Sequence, residues 1–199
     1  MADLERLLTE VRACRVCEPS LPLGCNPVVQ AGRGAKLLII GQAPGRKVHE
    51  TGIPWNDASG DRLRSWLGLD KETFYDAEQV AIIPMGLCYP GKGKSGDLPP
   101  RKECAPLWHE RLFAALPNVR LTLLIGSYAQ NYYLPKESLP KGGNLTERVA
   151  HFADFLPRYF PLPHPSPRNL AWFQRHPWFA GQVLPVLAQQ VAVAMAKNG

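Results

Sequence analysis

The sequence predicts an α/β fold, a mainly parallel sheet with helices on both faces. Strand-like runs of five or six apolar residues alternate with helical patterns along the chain, as βαβ units require. The first run, Lys36 to Gly41, is continuously apolar rather than alternating, as strands covered on both faces are. Composition agrees. With 45% hydrophobic and 20% charged residues, neither a disordered nor a fibrous chain fits, and 199 residues suit one domain. The 20 Pro and 17 Gly follow no period and point to long, shaped loops around an ordinary core.

Residues 3–13 place Leu4, Leu7, Leu8 and Val11 at helical spacing, and a Pro/Gly-rich loop follows through Gly34. The strand 36–41 runs into the turn Gln42-Ala43-Pro44-Gly45. Ser59 to Leu69 reads as a helix capped by Asp57 or Ser59, with Leu63, Trp66 and Leu67 inward. Val80 to Pro84 is a second strand, followed by a Gly/Lys/Pro loop from Tyr89 to Arg101 and a helix from Lys102 to Leu116. Arg120 to Gly126 is a third strand and Ser127 to Leu134 its helix. Residues 145–154 are helical, Tyr159 to Leu162 a fourth strand, and Trp178 to Lys197 a final amphipathic helix. Ligands of such sheets sit beyond the carboxyl ends of the strands, so segments 41–60, 85–100, 126–130 and 163–169 should share one crevice.

Lys and Arg total 23 against 17 acids, a net charge of +6 that is compatible with a polyanionic partner. The longest uncharged apolar run, near 37–45, is far short of the ~20 residues of a membrane span. The charged start Met1-Ala2-Asp3-Leu4-Glu5-Arg6 does not read as a signal peptide, so the expectation is a cytoplasmic protein with no membrane partner. Five Cys, an odd number, argue against a disulfide framework and turn attention to ligation. Cys14-x2-Cys17 is a pattern shared by zinc sites, redox motifs and clusters, while Cys88 and Cys104 bracket the loop after the second strand. Zinc prefers two close pairs. The wide second pair brings an iron–sulfur cluster into competition, with ordinary buried thiols as the plain alternative.

Two polar turns hold the rest of the unusual chemistry. In His164-Pro-Ser-Pro-Arg-Asn169 two prolines fix the backbone. The segment is either a helix start capped by Asn169, or a rigid turn that aims His164 at a leaving group while Ser166 and Arg168 meet phosphate or a base stack. Gly41-Gln-Ala-Pro-Gly45 follows a strand and offers backbone N–H groups. It matches neither G-x-G-x-x-G nor G-x-x-x-x-G-K-[ST], so no nucleotide cofactor is expected. Asp57 reads as a helix cap or a catalytic acid, and Trp55 as core or a stacking surface.

Together these pieces resemble the uracil-DNA glycosylase superfamily, in particular its iron–sulfur branches, families 4 and 5. The matching elements are Cys14-x2-Cys17, Leu-Ile-Ile-Gly41-Gln-Ala-Pro-Gly45, Thr51-Gly-Ile-Pro-Trp55-Asn-Asp-Ala-Ser-Gly60, Cys88-x15-Cys104, Leu-Ile-Gly126-Ser-Tyr-Ala-Gln130 and His164-Pro-Ser-Pro-Arg-Asn169, in the family's order. The resemblance implies a three-layer α/β/α sandwich around a mainly parallel four-stranded sheet, and a [4Fe-4S] cluster on Cys14, Cys17, Cys88 and Cys104, with Cys25 outside the set. It also implies a single domain over 1–199 with a cluster-binding segment 1–34.

The implied activity is monofunctional removal of uracil or another deaminated base from flipped-out DNA by a monomer, leaving an abasic site. Two departures shape the residue roles. Gln42 stands where family 4 has an acid and Ala43 where family 1 has Asp, so the catalytic acid is carried to Asp57, with His164 as its partner. Pro84 stands where uracil-specific members read the base with Asn, which moves base reading to main-chain groups near Met85 and Gly86 or to Asn56. Gln42, Ala43 and Trp55 complete the expected substrate pocket, and Ser59, Ser127, Ser166, Arg168 and Asn169 the DNA contacts. Lys92, Lys94, Arg101 and Lys102 either track phosphates or form a solvated loop. Two rival readings stand beside this one: a non-catalytic uracil- or abasic-DNA-binding member of the superfamily, and a zinc-stabilised nucleic-acid-binding module.

Overall fold

The computed structural model describes residues 2–134 and 143–196. The chain runs through α1 (Ala2–Arg12), β1 (Leu37–Ile40), α2 (Arg46–Thr51), α3 (Ala58–Leu67), α4 (Lys71–Tyr75) and β2 (Val80–Ile82). A small hairpin follows, β3 (Lys92–Gly93) and β4 (Gly96–Asp97), then α5 (Glu110–Ala114), β5 (Leu121–Ile125) and α6 (Ser127–Tyr133). The last elements are α7 (Leu145–Ala150), β6 (Tyr159–Leu162), α8 (Leu170–Arg175) and α9 (Leu184–Met195).

Four strands form the main sheet in the order β2-β1-β5-β6, every pair parallel. Side chains alternate across a strand, and here both faces are apolar. Leu38, Ile40, Ala81, Ile83 and Leu124 face one core with Leu4, Leu7, Leu8 and Val11 of α1 and Leu112 of α5. Leu37, Ile39, Val80, Ile82, Leu123 and Phe160 face the other, against Leu63 and Leu67 of α3 and Leu187 and Val191 of α9. Helices therefore cover both faces and the three-layer α/β/α architecture is the one expected. Burial of each such leucine or isoleucine contributes about 1.5–3 kcal/mol.

The differences from the expected elements are local. The helices α2, α4 and α8 have six, five and six residues, too short to show a periodic pattern over a window of about 11–18. The helix expected from Lys102 begins later, as a π-turn over Ala105–His109 that leads into α5. The loop 89–101 contains the β3–β4 hairpin. The expected end of the last helix at Lys197 lies outside the described residues. No single described helix is long and apolar enough to cross a membrane.

In this strand order the connection after β1 runs to β2 on one side and the connection after β5 runs to β6 on the other, so the switch point lies between β1 and β5 at their carboxyl ends. The loops after β1, β5 and β6 converge there.

Candidate active site

A cavity of about 660 Å³ lies at that switch point. Gln42 and Ala43 line it from the loop after β1, Pro84 from the end of β2, Ser127 from the start of α6, and His164, Ser166, Arg168 and Asn169 from the loop after β6. Trp55, Asp57 and Ser59 complete it from the entry to α3. The four segments expected to share one crevice each contribute to or border it, with Ser95 and Asp97 of the hairpin region representing the long loop.

Asp57 both caps a helix and faces the cavity. Its backbone is extended, and its Oδ1 accepts the Gly60 N–H at 2.9 Å, holding the first turn of α3. Its Oδ2 accepts no hydrogen bond from the described residues. His164 is fixed by the turn that follows it. The Ser166 N–H donates to its Nδ1 at 3.2 Å, which puts the proton of a neutral ring on Nε2. That Nε2 has no hydrogen-bond partner among the described residues. Burial lowers the basicity of His164, and the field of Asp57 acts in the opposite sense.

Trp55 lies beside His164, ring centroids 5.4 Å apart. Its backbone has φ of +55°, a left-handed conformation that a bulky residue holds only when its surroundings impose it. The imposing groups are visible. Arg64 Nη1 and Tyr75 Oη donate to the Trp55 carbonyl at 3.4 and 3.3 Å. Arg64 is buried, ion-paired with Asp61 and packed over the Phe74 and Tyr75 rings. Two glycines make room. A Cβ on Gly60 would stand 1.7 Å from the Trp55 carbonyl oxygen, and one on Gly41 would stand 2.9 Å from the indole. Trp55 is thus both things the sequence allowed, packed against the core and a wall of the cavity.

Other expected site residues are placed differently. The Met85 and Gly86 N–H groups donate to the carbonyls of Gly41 and Gln42, both at 2.9 Å, and are not free to read a base. These bonds extend the β1–β2 pairing past the ends of the strands. Met85 lines a different cavity. Asn56 sits between Trp55 and Asp57 in the turn before α3 and is not among the residues lining the site. The Asn169 amide donates to the His164 carbonyl at 2.8 Å, so this side chain braces the turn instead of capping α8. Ser166 Oγ accepts the Arg168 N–H at 3.2 Å. The Gln42 amide points to the Leu98 carbonyl at 3.4 Å and ties the loop after β1 to the hairpin.

Sequence reading missed Arg46, Lys47 and Asp97 as lining residues. The two cations follow Gly45 directly, a signal that was available; Asp97 reaches the site only through the tertiary placement of the hairpin.

The cysteines gather at the edge of the first core. Cys17 and Cys88 are buried around Leu21, with Cys25 packed against them. Cys104 accepts the Leu87 N–H at 3.5 Å, and the Asn26 backbone donates to Cys88. Cys88 feels the charges of Cys25, Cys104 and Cys14, and Cys104 those of Cys17 and Cys14. Cys25, apart in sequence, therefore belongs to this neighbourhood, its free thiol packed beside Cys88. Burial pushes the Cys88 thiol up to about 12 and the Cys104 thiol up to about 11. Among the described residues no three His, Cys, Asp or Glu are gathered tightly enough to hold a single metal ion. Soft sulfur donors with N–H···S bonds suit thiolate ligation, and a multi-iron core sets its sulfurs farther apart than one ion does.

Two comparisons bear on this arrangement. A type-4 uracil-DNA glycosylase of Sulfurisphaera tokodaii is 26% identical over 141 residues, 68% of this chain and 60% of that protein, so the chain spans less than two thirds of the relative's length. The model of the uracil DNA glycosylase superfamily matches residues 29–188, from just before β1 into α9. That span holds the sheet and every cavity-lining residue from the three loops, and the chain belongs to the uracil DNA glycosylase superfamily.

Proposed function

We propose that the chain is a monofunctional DNA glycosylase that hydrolyses the N-glycosidic bond of uracil, or another deaminated base, in DNA and leaves an abasic site. The observation that carries this reading is the pairing of Asp57 and His164 in one cavity, with Trp55 beside the imidazole. The relative's type-4 name supports uracil as the base.

A base within a duplex is out of reach, so the target nucleotide is turned out into the cavity at a cost of a few kcal/mol. Trp55 offers its face to the base. As the bond between C1′ and the base nitrogen lengthens, negative charge builds on the base and positive charge on the sugar. His164, neutral and with Nε2–H unpartnered, donates to the base oxygen; one such donor is worth about 2.7–4 kcal/mol. Asp57 faces the sugar, where its charge stabilises the cation and its Oδ2 accepts a proton from the attacking water. From the cavity lining, Arg168 would fill the vacated stack, and Ser59, Ser127 and Ser166 would hold phosphates. With the Met85 and Gly86 N–H groups spent, Pro84 presents no polar side-chain group, so selectivity against other deaminated bases is relaxed.

Cys14, Cys17, Cys88 and Cys104 would hold a [4Fe-4S] cluster, whose bound role is to cross-link the segment after α1 to the loop 88–104. Zinc would need four donors drawn close about one ion. Brown protein absorbing near ~400 nm supports the cluster, and colourless protein with one bound zinc overturns it.

The test is multiple-turnover base release from oligonucleotides carrying uracil, hypoxanthine, xanthine or thymine. Release of uracil that is lost in Asp57→Asn is expected. Tight binding of uracil-DNA without turnover would instead leave the non-catalytic reading.

A further inference from the structure

A second cavity of about 660 Å³ opens beside the first. The loop after the hairpin gives it Leu98, Pro99, Pro100 and Lys102, and α6 gives it Tyr128 and Tyr132. The two cavities share a rim. Asp97 and Leu98 are chain neighbours, as are Ser127 and Tyr128; the first of each pair lines the first cavity and the second lines the other. Nine large apolar side chains are exposed among the described residues, and Leu98, Tyr128 and Tyr132 are three of them, the tyrosines at 40% and 51%. An apolar patch gathered in one concavity marks a binding surface. Tyr128 and Tyr132 stand four residues apart, on one face of α6.

We propose that this cavity holds unpaired bases flanking the target nucleotide, so that single-stranded or locally opened DNA is the preferred form of the substrate. The inference rests on the glycosylase reading for the strand that enters the first cavity. Three features select this occupant. A strand leaving the first cavity crosses the shared rim. Two exposed tyrosines, Tyr132 packed edgewise with Tyr133, supply aromatic rings of the kind on which a base stacks whatever its sequence, and two-torsion side chains lose little freedom in doing so. Lys102 at the cavity and the exposed Lys92 and Lys94 of the hairpin loop supply cations for the phosphates, whereas Arg101 is engaged by Glu103 at 2.6 Å. Bases in a duplex are already stacked on their neighbours and cannot use the platform.

The experiment measures binding of single-stranded and duplex oligonucleotides carrying a non-cleavable abasic analogue, with 2-aminopurine stepped through the flanking positions. Wild type is expected to bind the single strand more tightly than the duplex and to quench 2-aminopurine at positions on one flank. The pair Tyr128→Ala and Tyr132→Ala should weaken single-strand binding by about 10- to 100-fold and abolish the quenching, with duplex binding little moved. The pair Tyr128→Phe and Tyr132→Phe should retain both, since the rings remain. Lys102→Gln should lower the salt dependence of single-strand binding by about one phosphate contact. An alanine pair that binds the single strand as wild type does, or a wild type that quenches no flanking position, overturns the proposal and leaves the cavity to a protein partner. Base release separates the two readings. Quenching without base release would sink the glycosylase while sparing this site; normal base release with an inert tyrosine pair would do the reverse.

Discussion

His109 and His164 are two imidazoles in one tautomer and two different trades. Burial lowers the basicity of both, that of His109 to about 4. His109 is enclosed: Nε2 bonds the Pro84 carbonyl at 3.0 Å, Nδ1 meets the Tyr133 hydroxyl, and the ring stacks parallel to Tyr133. His164 uses Nδ1 alone, on the Ser166 N–H, and keeps Nε2–H for the cavity. Suppressed basicity thus reports burial, not chemistry. What distinguishes a proton donor to substrate is an N–H left without a partner where a ligand fits. The two are linked through Pro84, gripped by His109 on its carbonyl while lining the cavity that His164 faces.

The contrast can be broken most decisively at the partner of His164. Asp57→Asn is expected to cut base release by about 10²–10⁴-fold with the fold intact, because asparagine caps a helix as well as aspartate does. Steady-state kinetics beside a melting curve checks both halves; an unchanged rate would remove the carboxylate from the mechanism. His164→Ala should cost about 10²–10³-fold in kcat with a smaller change in KM, read in the same assay.

Gly60→Ala acts one layer back. Its Cβ collides with the Trp55 carbonyl, so either α3 or the left-handed turn must move, and a loss of about 10- to 10²-fold in kcat/KM is expected with His164 and Asp57 both present. A variant as active as wild type would show that the indole's position is not needed.

The smallest effect on rate is expected at His109, where the readout is stability. The folded protein keeps this ring neutral to about pH 4, while the unfolded chain protonates it below about 6.5. The unfolded state then binds the extra proton, so stability present above pH 6.5 falls as pH drops toward 4, by on the order of 3 kcal/mol. Denaturant titrations across that window should lose this slope in His109→Gln, with base release at neutral pH changed only a few-fold. A large loss of rate there would erase the distinction between the two histidines.

What could be read in the sequence follows from how local each signal is. The strands are continuous apolar runs, and their burial on both faces needs nothing beyond that. Asp57 as a cap and the prolines bracing His164 were likewise legible, as short motifs with a mechanism, whereas the grouping of Cys14, Cys17, Cys88 and Cys104 was legible only through the family resemblance. Base reading by Asn56 or by main-chain groups near Met85 and Gly86 follows from Pro84 standing where the family has Asn, yet none of the three lines the cavity that Pro84 lines. Position in the chain is a poor guide where N–H groups extend a strand pairing, as at Met85 and Gly86.

The sequence by itself determined the α/β class, the loops that carry the chemistry and the residue types in them, because hydrophobic period and turn chemistry act over a few residues. Only the tertiary structure decided that Trp55 is held left-handed by Arg64 and Tyr75, that His109 is spent while His164 is not, and that Tyr128 and Tyr132 line a second cavity beside the first. Each of these depends on a hydrogen-bond partner or a neighbouring wall from a distant part of the chain, and such partners meet only when the sheet is assembled.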